Sequence, residues 1–96
     1  MPLFVLLGRD GPKGLELRKA HREAHLENLE PLDQAERVRY AGPLIDAGGS
    51  PCGSVIVFEA DDLESALSFA AADPYVVEGI FESWEVIETR QVFPKG

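Results

Sequence analysis

Apolar residues run without a break through residues 3–8, a pattern suited to a central strand buried on both faces. Two glycines and a proline within residues 9–14 end it. The period then changes. From residue 15 to about residue 36, Leu15, Leu26, Leu29 and Leu32 recur roughly at helical spacing among charges, and no β-branched side chain appears before Val38. Pro31 interrupts this stretch and predicts a kink or break near residues 29–30. Residues 37–44 read as a second strand, bent or ended by Gly42-Pro43, and residues 46–51 as a turn. Val55, Ile56, Val57 and Phe58 give residues 53–60 strong strand character. Asp61 and Glu64 form a capping box that opens a second helix, with Leu63, Ala66, Leu67 and Ala70 as its buried stripe. Asp73-Pro74 stops that helix. Residues 80–93 read as a long last strand, with Phe81, Trp84, Val86 and Ile87 among its apolar positions.

The resulting order is βαββαβ, the split arrangement of ferredoxin-like α+β folds. Ninety-six residues hold one core, so residues 1–96 make a single domain. A four-stranded antiparallel sheet with helices on one face leaves its other face bare. A second copy of the chain is the expected cover.

Charge narrows the partners. Nine basic against 17 acidic side chains leave a net charge of -8, a field that repels phosphate backbones and anionic lipid. Nucleic acid and membrane are therefore not expected as partners. A local cluster such as Arg18, Lys19 and Arg22 can still hold a small anion. Cys52 is the only cysteine, so no disulfide can form within the chain, which fits a reducing, cytoplasmic setting. Its neighbours Ser50, Pro51 and Gly53 suggest a small turn residue rather than an activated thiol. The apolar N-terminal stretch is too short to span a bilayer and lacks the flanks of a signal peptide.

His21 and His25 are the two histidines, four apart on the first predicted helix and hence on one face. Paired metal ligation is one reading, but the zinc-protease helix needs Glu directly after the first histidine, where Arg22 stands. No third histidine is available to complete a site, and no metal is expected. A general acid or base is a second reading, since imidazole titrates near neutral pH; two half-buried helix residues without chemistry are a third. Arg22 beside them and Asp10 in the loop before the helix favour a polar cluster here. Asp73 either caps a short new helix with Pro74 at its first position or orients a histidine. Ser54 reads as a strand-start serine and Trp84 as a packing or dimer contact. No nucleotide-binding fingerprint, Cys-x-x-Cys or nucleophile-elbow motif occurs, and no cofactor is expected.

Taken together, the segments 17–18, 21–26, 41–44 and 53–54, then 71–76 with Asp73-Pro74-Tyr75, and 79–81 resemble the YCII-related (YciI-like) proteins over nearly the whole chain. The resemblance implies a ferredoxin-like subunit pairing into a dimeric α/β barrel, with a histidine–aspartate pair that falls on His25 and Asp73. It places Arg22, Ser54, Tyr75 and Asp10 around that pair, with His21 as a neighbour. It further implies a small-molecule ligand. One branch of the family resembles enzymes that remove chloride from chlorinated hydroxyquinols, so lyase- or isomerase-like acid–base chemistry on a small cyclic or aromatic molecule is the expectation. A non-catalytic ligand-binding or partner-binding dimer is the alternative.

Overall fold

The computed structural model describes residues 1–95. The elements are β1 (Leu3–Asp10), α1 (Gly14–Gln34), β2 (Val38–Ile45), β3 (Pro51–Glu59), α2 (Leu63–Ala71), α3 (Pro74–Val77) and β4 (Phe81–Thr89). The strands form one sheet in the order β2-β3-β1-β4, with every neighbour antiparallel. This is the expected α+β ferredoxin-like sheet, with a short third helix added before the last strand.

Helices cover one face only. Phe4 and Leu6 of β1 meet Phe58 and Ile56 of β3 in register, and all four are buried beneath Leu29, Ala66 and Ala70. A second cluster of Tyr75, Ile80 and Phe81, with Leu17 and Val76 against it, closes the sheet end where α1 begins. On the opposite face Leu3, Val5, Leu7, Val55 and Val57 are half-buried, and Tyr40 and Ile87 are exposed. The continuous apolar run in β1 therefore does not bury both faces within one subunit.

Several boundaries differ from the pattern-based reading, each for a local reason. The helix α1 runs through Pro31, because proline there removes a single intrahelical N–H only one turn before the end. The end is set instead by Glu36, at φ 59°. Arg37 N–H donates to the Leu32 carbonyl and Glu36 N–H to that of Asp33, the paired bonds of a Schellman stop. Asp62, not Asp61, caps α2: its Oδ1 accepts from Ser65 N–H at 2.8 Å. Ala66 and Ala70 bring α2 close to the sheet, so Leu63 and Leu67 remain exposed at its rim instead of in the core. Cys52 is exposed within β3, not in the turn, and β4 ends at Thr89, short of Phe93. Among the described residues no helix is long and apolar enough to cross a membrane.

Candidate active site

The face of α1 directed at β2 and β3 carries Leu15, Arg18, Lys19, Arg22, His25, Leu26 and Leu29, a continuous helical stripe. With Ala41, Gly42 and Pro43 of β2 and Pro51, Ser54 and Ile56 of β3, it encloses a cavity of about 420 Å³, and Tyr75 closes one side. That volume lies within the usual range for small-ligand sites.

His25 is buried on this stripe. Its Nδ1 lies 2.9 and 3.0 Å from the two carboxyl oxygens of Asp73, a fully buried side chain. Asp73 also caps α3, accepting the Tyr75 N–H at 2.8 Å with Pro74 at the first helical position. The capping and orienting roles weighed from the sequence thus coexist in one carboxyl group. Because both contacts bring donors to that carboxyl, the imidazole hydrogen belongs on Nδ1. Nε2 makes no hydrogen bond among the described residues. The ring is further held by Tyr75, stacked at 3.9 Å and 3°. Phe81 meets Tyr75 edge-on at 5.9 Å.

Burial pushes the Tyr75 phenol above its ordinary pKa, against the opposing pull of the Arg18 and Arg22 charges. It therefore stands as a hydrogen-bond donor at neutral pH. Arg18 lies over the Tyr75 ring, 5.0 Å from its centre. Its Nε and Nη2 donate to the two oxygens of Asp10 at 2.6 and 2.9 Å, a bidentate pair. Nη2 also reaches the Gly53 carbonyl at 2.7 Å and Ser54 Oγ at 3.0 Å. Burial disfavours the Arg18 charge, but the hydrogen bond and charge of Asp10 outweigh it and hold the guanidinium's pKa above the usual value. Gly14 makes room for this pair, since a Cβ there would come 2.5 Å from Asp10 Oδ2.

Of the residues singled out in the sequence, His25, Tyr75 and Ser54 line the cavity, Asp73 stands behind His25, and Arg22 is exposed at the mouth. Asp10 acts one step removed, through Arg18. His21 does not line the cavity; its Nε2 lies 4.0 Å from Glu78. The two imidazoles thus engage different acids, and among the described residues no group of three His, Cys, Asp or Glu side chains is placed to hold a metal. Arg18 is the residue whose place in the site the motifs did not reveal. Its signal was the spacing 18, 22, 25, which puts two arginines and the histidine on one helical stripe.

Residues 2–90 match the YCII-related domain. The chain is a member of the YCII-related family. Protein YciI of Escherichia coli is 35% identical over 97 residues, covering 95% of this chain and 99% of the relative. Among solved structures, the 5-chloro-2-hydroxyhydroquinone dehydrochlorinase TftG of Burkholderia phenoliruptrix, in complex with 2,5-dihydroxybenzoquinone, superposes with a TM-score of 0.84 at 30% identity. That match covers 93% of this chain and 94% of the other. An antibiotic biosynthesis monooxygenase superposes with a TM-score of 0.55 at 15% identity, over 96% and 99% of the two chains. This more distant likeness is one of fold, and fold does not determine chemistry. YCII-related membership and the dehydrochlorinase neighbour are consistent with a small-molecule enzyme.

Proposed function

We propose that this YCII-related chain is an enzyme needing no metal or cofactor, which moves a proton on a small cyclic or aromatic molecule. Such chemistry includes dehydrochlorination and isomerisation. The observation that carries the reading is a buried imidazole fixed at Nδ1 by a buried carboxylate, on the wall of a ligand-sized cavity, with Nε2 unpaired. In this scheme Nε2 takes a proton from a ring hydroxyl or an acidic C–H; in an isomerisation it returns that proton to another ring position, and in a dehydrochlorination chloride leaves with the electron pair of the C–Cl bond while the proton passes to water. Asp73 holds the ring in one tautomer and offsets the positive charge as it forms. Arg22 meets the negative charge that develops on substrate oxygen, and Ser54 and Tyr75 position the ring. The likeness to TftG supports a hydroxylated ring as the substrate.

We infer further that the bare sheet face pairs with a second copy of the chain. The half-buried valines and leucines of β1 and β3 form an apolar surface that the helices leave uncovered, and burying it gives the driving force.

The test is turnover of 5-chloro-2-hydroxyhydroquinone and a panel of small cyclic acids and lactones, followed by chloride release and ring absorbance. Replacing His25 by Ala should lower the rate on the order of 10²–10⁴-fold. Asp73→Asn is the cleaner partner variant, because asparagine still caps α3 while presenting a different hydrogen-bonding pattern to Nδ1. It should lower turnover with little change in melting temperature. Full activity in His25→Ala would overturn the proposal. Saturable ligand binding by the wild-type protein with no product anywhere in the panel would assign the cavity to binding alone.

A further inference from the structure

The polar groups facing the cavity are of one kind. Arg18 has spent Nε and Nη2 on Asp10, Gly53 and Ser54. Ser54 Oγ accepts from Arg18, so its own hydrogen remains to be given. Tyr75 carries a phenol whose pKa burial raises; its oxygen faces the Arg18 guanidinium as an acceptor, so its own hydrogen also remains to be given. Lys19 and Arg22 donate only. Among the lining side chains, Nε2 of His25 is the one basic nitrogen acceptor. A ligand that fills this inventory brings several acceptor oxygens and one acidic hydrogen; a donor-rich ligand would strand the cavity's own donors, at a substantial cost.

Charge points the same way. Three cations line the cavity and no carboxylate does. Asp10 answers Arg18 from behind, whereas among the described residues neither Lys19 nor Arg22 has an acidic partner within 4.0 Å. Two unanswered positive charges at one opening stand out in a chain of net charge -8. Around them Leu15, Leu26, Leu29 and Ile56 provide walls for an apolar body.

Building on the site as read above, we infer that its ligand is a ring compound carrying a resident negative charge on oxygen, either a carboxylate or a ring oxyanion. The charge sits at Arg22 and Lys19, beside the Arg18 guanidinium, and the acidic hydrogen faces Nε2. Arg22 and His25 lie three residues apart on one stripe of α1, so the same helix meets both groups of the ligand.

Binding to the His25→Gln protein, measured by calorimetry, tests the charge requirement without involving catalysis. Benzoate should bind on the order of tenfold more tightly than benzamide, which matches its shape but lacks its charge. A preference for benzoate identifies the carboxylate as the source. 4-Nitrophenol, added below its own pKa, distinguishes the other source, because a bound ring oxyanion shows the phenolate absorption band. The benzoate preference should shrink as salt is raised and vanish in Lys19→Gln/Arg22→Gln, two exposed positions, while Lys95→Gln on the distant tail changes nothing. Equal binding of benzoate and benzamide with 4-nitrophenol remaining in its neutral form overturns the inference. So does the absence of saturable binding, or a preference that survives the double substitution. Turnover lost in His25→Gln with anion preference intact, or the reverse, separates failure of this inference from failure of the acid–base proposal.

Discussion

His25 and Asp73 lie 48 residues apart in the chain, and the quality of their contact depends on the neighbours that hold each side chain in place. Asp73 is held by the helix it caps, and the imidazole is held by the Tyr75 ring of that same helix. The Asp10–Arg18 pair plays the corresponding part for Ser54, with both side chains nearly buried, at 6% and 11% exposure. Asp10→Ala leaves the guanidinium without its bidentate partner. The expected loss is about 2–3 kcal/mol in urea denaturation, less than for a wholly stranded buried charge, because Gly53 and Ser54 still accept from it. Tyr75 makes a prediction about pH. Its folded pKa is raised above the ordinary 10.0, so the fold favours the protonated phenol. That contribution is full below the unfolded pKa and is lost as pH rises through the folded value. Melting temperatures of the wild type should therefore fall as pH rises past the unfolded tyrosine value of about 10, and Tyr75→Phe should flatten that decline. An equally steep decline in the variant would show that another group is responsible.

Elements show how a weak local pattern yields to hydrogen-bond accounting. The helix α1 tolerates Pro31 because the real stop comes five residues later, where a left-handed residue lets the Leu32 and Asp33 carbonyls find donors. Glu36 fills that position with a side chain that resists positive φ and places a negative charge at the negative end of the helix. Glu36→Gly should stabilise the protein by about 1 kcal/mol, read as a rise in the thermal midpoint; a fall would mean that Glu36 makes a compensating contact. The one-residue offset at α2 has a similar cause. Asp61 and Asp62 both suit a cap by composition, and the choice goes to the one whose carboxyl reaches the Ser65 N–H. Leu63 and Leu67 obey helical spacing yet lie at the rim, since close approach through Ala66 and Ala70 sets which stripe is covered.

For the whole molecule, two surfaces of one sheet divide the work. The helix-covered face carries the core and the site, and the other carries the apolar columns of β1 and β3. Val57 lies at the centre of that second face. If the face pairs with another copy, Val57→Asp should convert a dimer into a monomer in sedimentation velocity while far-ultraviolet circular dichroism is preserved. A wild-type protein that sediments as a monomer would end the pairing proposal. Because α1 and the cavity lie on the opposite side of the sheet, the His25–Asp73 contact should survive the substitution.

Strand and helix order and the one-sided packing were legible in the residues, because hydrophobic period and turn chemistry act over a few positions and need no knowledge of the rest. The same is true of the stripe that places Arg18, Arg22 and His25 together on α1. Which face of a helix meets which strand is settled by packing, and that is where the chain's local signals stop. Packing turns His21 toward Glu78 and His25 toward Asp73, lets one carboxyl both cap a helix and fix an imidazole, and folds Asp10 behind Arg18. The two histidine contacts span tens of residues, and the strength of all of them depends on burial, a property that no segment possesses before the chain has folded.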